Sequence, residues 1–199
     1  DHKSSRGLGD VYKRQLLSCN PSDSAEILIK ASQHHNVQTR RETASSLQRI
    51  ASDDFRLALS LMDTLLADKD SDVRVISATY LASLARSDRH LFIEKAKPAL
   101  ERSEVRLTKR IVDSAIREYL SSDSFDRAGL LPLAWASSDQ STKSKLAGLI
   151  IQQSEENYEG FADTCRRFRE IGNDTFSDLK SFILRRDSSM EKKFPKLQD

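Results

Sequence analysis

The stretch LALSLMDTLLADKDSDVRVISATYLASLAR, residues 57–86, decides the fold. Its apolar residues recur every three or four positions, a spacing that places them on one face of an α-helix. They form two stripes, Leu57, Leu61, Leu65 and Leu66 followed by Ala78, Leu81, Ala82 and Ala85. Asp70, Ser71 and Asp72 separate the stripes, and such side chains suit the first turn of a helix. The stretch therefore predicts two helices joined by a short turn.

The same pattern recurs along the chain with a period of 34 residues. When the sequence is shifted by that interval, four columns of apolar residues align over residues 22–154. Their members are Leu28, Met62, Ala96 and Leu130; Ala31, Leu65, Ala99 and Leu133; Ala44, Ala78, Val112 and Leu146; and Leu47, Leu81, Ala115 and Leu149. Self-similarity at a fixed interval is typical of helical repeat proteins. We therefore expect these sixteen side chains to be buried between stacked helices.

Polar clusters predict where the helices end. One series lies near residues 36, 70–72, 103–104 and 137–139, and a second near residues 53–54, 87–88, 121–123 and 154–155. After the fourth repeat the columns fade, but the turn at 172–174 separates two more helical stripes and predicts a divergent last hairpin. The expected fold is all-α, an α-solenoid (superhelix) of about five antiparallel helical hairpins. The repeat domain is predicted over residues 16–187, with a flexible polar tail over residues 188–199.

Two stretches resemble the second helix of a HEAT or armadillo-type repeat. One is DKDSDVR, residues 68–74, which runs into Ala78, Leu81 and Leu84. The other is Thr39 and Arg40 followed by Ala44, Leu47 and Ile50. Pro98 and Pro132 lie within predicted first helices, which is also similar to HEAT repeats. The resemblance covers residues 22–154 and implies a right-handed superhelix whose second helices line the concave face.

Tetratricopeptide repeats have the same period of about 34 residues. Their pattern requires Trp, Leu, Gly and Tyr in the first helix and a Pro that closes the second, and no repeat of this chain shows it. The third repeat departs slightly from the others, because Val105 and Arg106 follow Val73 and Arg74 by 32 residues. We therefore expect a small register shift in the turn before Val105.

The first fifteen residues are predicted to be a non-native leader. Residues 10–15, DVYKRQ, resemble the translated end of a transposase adapter used in sequencing libraries, and a natural polar leader is the alternative. We expect an open reading frame from metagenome DNA that encodes a fragment of a longer protein. Residues 16–199 hold 28 basic and 28 acidic residues, so the net charge of +2 comes from the leader. The charge therefore gives no argument for a nucleic-acid or membrane partner.

No sequence motif for catalysis, a nucleotide or a metal is present. His34 and His35 are predicted to lie in a surface turn, since adjacent helical residues point apart. We expect Trp135 to pack against the next hairpin rather than to stack on a ligand. Cys19 and Cys165 lack zinc-ligand spacing and are predicted to be reduced thiols of a cytoplasmic protein. The sequence thus predicts no enzyme, no cofactor and no catalytic or metal-binding residue.

Basic residues lie opposite the apolar columns on the predicted second helices. This concave strip consists of Arg41, Arg49, Tyr80, Lys109, Arg110, Arg117 and Lys143. Exposed Arg and Tyr often anchor interfaces, although a solvated helix face is the alternative. Because Glu42, Asp113 and Glu118 interrupt the strip, we expect an acidic protein segment as the partner rather than a nucleic-acid backbone.

The sequence is compatible with two main functions and a third, less favoured one. The leading hypothesis is a non-enzymatic protein–protein interaction scaffold, because repeat stacks present long surfaces and lack the buried pocket that catalysis needs. The alternative is a nucleic-acid-binding module resembling the HEAT-type DNA alkylation-repair proteins, whose binding of a duplex needs clustered Lys and Arg. The third is one arm of a larger enzyme. The sequence does not predict the partner's identity or an oligomeric state.

Overall fold

The computed structural model describes residues 21–121 and 125–195, without the side chains of residues 21–23. This part of the chain is helical and contains no strand, which confirms the predicted all-α class. It divides into two compact units, which lie within Asp1–Tyr80 and Leu81–Asp199. The predicted leader, residues 1–15, and residues 196–199 of the predicted tail lie outside the described residues.

The helices of the first unit pack in two rows. They are α1 (Pro21–Ser32), α2 (Val37–Ser45), α3 (Leu47–Asp53), α4 (Phe55–Leu66) and α5 (Ser71–Ser77), followed by a 3₁₀ turn (Ala78–Tyr80). The first helices α1 and α4 pack on each other, and so do the second helices α2 and α5. Each also packs on its neighbour in the chain. Leu47, Met62, Leu65 and Ala78 are among the side chains buried between the rows.

The second unit repeats this arrangement. It contains α6 (Leu81–Ser87), α7 (Arg89–Glu101), α8 (Val105–Ile111), a π-helical turn (Val112–Ile116), α9 (Arg117–Ser121), α10 (Leu130–Ala136), α11 (Gln140–Glu156), α12 (Tyr158–Ile171), α13 (Asn173–Arg186) and a 3₁₀ helix (Ser188–Lys193). One row is formed by α7, α10 and α12, each packed on the next. The π-helical turn packs on both α6 and α11, and α11 packs on α13, which forms the other row.

Four of the one-residue connections are single Asp or Asn residues. Asp54 joins α3 to α4, Asp88 joins α6 to α7, Asn157 joins α11 to α12, and Asp187 follows α13. Each has extended backbone, donates its N–H to the carbonyl four residues earlier, and accepts an N–H of the new helix with its side chain. A short side chain with an acceptor oxygen can cap a helix within one residue. The turn predicted near 154–155 lies two residues later, at Asn157, because α11 continues to Glu156.

The predicted burial of the column residues is confirmed for thirteen of the sixteen. The other three, Leu28, Leu133 and Leu149, are half-buried. Leu133 and Leu149 each precede a residue with no exposed area, Ala134 and Ile150 respectively. The helices of the fourth predicted repeat are therefore displaced by one residue from the 34-residue period.

The π-helical turn accounts for this displacement. Asn36, Asp70 and Glu104 precede successive second helices at intervals of 34 residues, whereas Asp139 follows Glu104 by 35. A π-turn holds one more residue than an α-turn, so Val112–Ile116 absorbs the extra residue without rotating the apolar face away from the core. The shift predicted in the turn before α8 is wrong, because that turn keeps the regular interval and the extra residue lies inside the helix.

The C-terminal segment packs against the last hairpin. Met190 has no exposed area, and the ring of Phe194 lies 5.7 Å from that of Phe161 and 6.0 Å from that of Phe176. These apolar side chains cover rings that the last hairpin would otherwise leave exposed to water. The prediction of a flexible tail is therefore wrong for residues 188–195.

Candidate functional site

The seven residues of the predicted concave strip are found in three environments. Arg49, Lys109, Arg110 and Arg117 are exposed, Arg41 and Lys143 are half-buried, and Tyr80 is buried. The prediction that Tyr80 contributes an exposed side chain is wrong, since only 5% of the residue is exposed. It lies in a 3₁₀ turn, whose tighter winding changes the direction of its side chain from that in an α-helix.

In the first unit, acidic residues of the next predicted repeat neutralise Arg41. Its Nη2 lies 3.1 Å from Asp70 Oδ2 and 2.8 Å from Asp72 Oδ2, at the start of α5. Asp70 Oδ1 also accepts the N–H of Val73 at 3.1 Å and so caps α5. Burial acts to raise the pKa of Asp70, but these hydrogen bonds outweigh it and lower that pKa. Arg41 thus stabilises the packing of α2 on α5, and its charge is balanced within the chain.

Lys143 and Lys109 are engaged in the same way in the second unit. Lys143 Nζ donates to Asp178 Oδ2 at 2.7 Å, and the ammonium lies 5.3 Å from the centre of the Trp135 ring. Lys109 Nζ lies 4.0 Å from Asp139 Oδ2, the residue that caps α11. Both charges are therefore partly balanced by acids of the following second helix.

Arg110 and Arg117 are different, because both are exposed and neither forms an ion pair with a described residue. Arg110 lies in α8, and Arg117 begins α9 directly after the π-helical turn. An arginine without a carboxylate partner keeps its full charge and all five N–H donors for an external group. Of the predicted strip residues in the second unit, only these two arginines are therefore exposed cations without an ion-pair partner among the described residues.

A small cavity lies beside Arg117, between α9 and α11. Its volume is about 100 Å³, and it is lined by Arg117, Leu120, Ser121, Leu149, Gln152, Gln153 and Glu156. Leu149 reaches this cavity because the one-residue displacement places Ile150 in the core instead. Gln152 Nε2 donates to Glu156 Oε1 at 2.6 Å, so the acid is held by its own helix. The sequence did not predict the cavity, and its only trace is the 35-residue interval between Glu104 and Asp139.

A buried carboxylate, Asp126, was also missed from sequence. Its oxygens accept the N–H groups of Leu130 and Leu131, both at 2.8 Å, and the hydroxyl of Tyr119 at 3.0 Å. Burial raises its pKa to about 6, although these hydrogen bonds oppose the change. Because Asp126 has no exposed area, it holds the start of α10 and offers no group to a ligand.

Trp135 and His34 have structural roles. The ring of Trp135 is 5.6 Å from that of Phe168, edge to face, and its Nε1 donates to Asp178 Oδ2 at 3.0 Å, which confirms its predicted packing on the next hairpin. His34 Nδ1 accepts the N–H of Asn36 at 3.1 Å. Burial raises the pKa of the Cys165 thiol to about 12, and Cys19 lies outside the described residues. Within residues 21–121 and 125–195, no three His, Cys, Asp or Glu residues are grouped to hold a metal ion.

Comparison with known proteins identified no relative of this chain. No family model, no curated protein and no solved structure matches the chain. The resemblance to HEAT repeats therefore rests on the residues of this sequence alone. Among the helices of the described part, none is long and apolar enough to cross a membrane.

Proposed function

We propose that this chain is a HEAT-like helical repeat protein, an α-solenoid of about five antiparallel hairpins that serves as a non-enzymatic scaffold for a protein partner. Three observations support the architecture. First helices pack on first helices and second helices on second helices within each unit. Their caps recur at 34 or 35 residues, and the column residues are buried. Repeats that contact only their neighbours stack in this way and leave an extended surface.

The partner site is the second-helix surface of the second unit around Arg110 and Arg117. The observation that carries this assignment is that both arginines are exposed and unpaired among the described residues, whereas Arg41 and Lys143 are paired. Guanidinium groups bind carboxylates through two parallel hydrogen bonds, so two free arginines favour a partner that carries carboxylates.

An acidic protein segment fits this surface better than a nucleic acid. Asp113 lies between the two arginines in the chain and accepts from Lys145 Nζ at 2.5 Å, and Glu118 directly follows Arg117. Nucleic-acid binding draws its affinity from several Lys or Arg residues that neutralise phosphates together, and acids between the two arginines weaken such a field. A flexible acidic segment can place its carboxylates at Arg110 and Arg117 and leave the acids of the surface in water.

The test is a double charge reversal, Arg110→Glu with Arg117→Glu, measured by fluorescence anisotropy with a labelled hexaglutamate peptide and with a labelled DNA duplex. The control carries Arg56→Glu and Lys97→Glu, two exposed residues of first helices. We expect the parent and the control to bind the peptide and the double variant to lose it. Affinity for the peptide should fall with salt, but less steeply than for a protein that neutralises six or more phosphates.

Two results would overturn the proposal. One is a folded double variant that binds the peptide as the parent does, since the arginines would then be only a solvated face. The other is tighter binding of the duplex than of the peptide at both low and high salt, which would favour the nucleic-acid module instead.

A further inference from the structure

The cavity beside Arg117 lies where the repeat is interrupted. In the three preceding repeats the residues equivalent to Leu149 are Leu47, Leu81 and Ala115, and each is at most 1% exposed. Leu149 alone of this column is half-buried, because the π-helical turn displaces the following helices by one residue. π-helical turns within α-helices are often found at functional sites. The interruption thus opens a space between α9 and α11 that a regular repeat would fill.

The lining of the cavity includes one cation, an apolar wall and one carboxylate. Arg117 supplies a guanidinium that no described residue neutralises, while Leu120 and Leu149 supply the apolar wall. Glu156 supplies the carboxylate, and the hydrogen bond from Gln152 holds it in place. The space, about 100 Å³ and open to solvent on one side, admits a carboxylate with one or two methylene groups.

We propose that this cavity is the anchoring subsite for one glutamate or aspartate side chain of the acidic partner segment. The inference rests on the function proposed above and deepens it. The side-chain carboxylate pairs with Arg117, and its methylene groups lie against Leu120 and Leu149. A peptide N–H of the same segment donates to Glu156, which offsets the repulsion between the two carboxylates. Arg110 lies outside the cavity and contributes only its charge.

The experiment measures the affinity of labelled hexaglutamate for single variants at low salt by fluorescence anisotropy. Arg117→Gln should weaken binding about tenfold or more, because it removes a two-pronged carboxylate contact. Arg110→Gln should weaken it only about two- to threefold, as expected for an exposed charge. Leu149→Phe, which fills the cavity and leaves the net charge unchanged, should weaken binding about as much as Arg117→Gln.

Circular dichroism and a thermal melt will show whether Leu149→Phe folds. If it does not, Ser121→Leu on α9 is a second variant that fills the same cavity. Free glutarate added in excess should compete poorly, since it lacks the peptide N–H for Glu156. If the parent does not bind hexaglutamate at all, the proposed function itself fails. A different result overturns the subsite alone: the parent binds hexaglutamate, Arg117→Gln and Arg110→Gln weaken binding equally, and neither cavity-filling variant changes the affinity. In that case the proposed function stands.

Discussion

Arg40 and Asp68 form a buried, two-pronged ion pair that joins α2 to the turn before α5. Arg40 Nε lies 2.6 Å from Asp68 Oδ2 and Nη2 lies 3.1 Å from Oδ1, and the two side chains are 5% and 7% exposed. Nη1 of the same guanidinium donates to the carbonyls of His34 and His35 at 2.7 and 3.2 Å. One arginine therefore connects the turns of two consecutive predicted repeats.

Breaking this pair should destabilise the first unit strongly. Arg40→Met leaves the carboxylate of Asp68 buried without its partner and should lower the free energy of unfolding by about 3–5 kcal/mol. Arg41→Met is the matched control, because the ion pairs of Arg41 are half-exposed and should contribute less than about 1 kcal/mol. Urea unfolding measures both. Equal losses in the two variants would show that burial of the Arg40 pair is unimportant.

The same pair should make the first unit sensitive to acid. Burial acts to raise the pKa of Asp68, but the hydrogen bonds from Arg40 and from the N–H of Asp70 outweigh it and lower that pKa. A carboxylate with a lowered folded-state pKa stabilises the protein above its unfolded pKa of about 4, and this contribution is lost as the pH falls below that value. Between pH 5 and pH 3 the parent should therefore lose more stability than Arg40→Met, which unfolding curves at several pH values can measure. Parallel losses would contradict the assignment.

Asp126 should have the opposite effect. Burial raises its pKa to about 6, above the unfolded value near 4, so the folded state holds the proton more tightly. Its contribution to stability is therefore largest below about pH 4 and is lost as the pH rises to about 6. Relative to Asp126→Asn, the parent should lose about 2–3 kcal/mol across this range. Urea unfolding of both proteins at pH 4, 5, 6 and 7 measures the difference, and a constant difference would exclude titration of Asp126.

The C-terminal segment should contribute measurably to stability. Met190 has no exposed area, so Met190→Ala should lower the free energy of unfolding by about 2–4 kcal/mol through lost contacts and the cavity that remains. Lys192→Ala, at an exposed position of the same 3₁₀ helix, should change it by less than about 0.5 kcal/mol. Thermal or urea unfolding compares the two variants. A neutral Met190→Ala would mean that the segment is a loose tail after all.

The π-helical turn should tolerate the loss of one residue. Deletion of Ser114 converts the π-turn to a regular α-turn and leaves the apolar faces of α8 and α9 in place, so the melting temperature should fall by no more than about 4 °C. Deletion of Ser83 in α6 is the control, because it rotates Leu84 and Ala85 by about 100° away from the core. That variant should lose about 3 kcal/mol or more, or fail to fold. If both deletions are equally damaging, the π-turn does not hold the inserted residue.

The sequence by itself determined the helices, most of their ends and the buried columns. These features depend on local rules: the helical period of apolar residues, and capping by residues such as Asp54 and Asp88. The packing of Trp135 also followed, because a large apolar side chain within an apolar stripe has few alternatives to burial.

Only the tertiary structure decided which charged residues are free. Arg41 and Lys143 are paired with acids 29 and 35 residues further along the chain, and nothing in the local sequence distinguishes them from Arg110. The one-residue displacement depends on the π-turn, which the helix adopts because rotating Ile116 and Tyr119 out of the core would cost more than one irregular hydrogen-bonded turn. Ion pairing and helix irregularities depend on distances between stacked helices, and those distances exist only once the helices have packed.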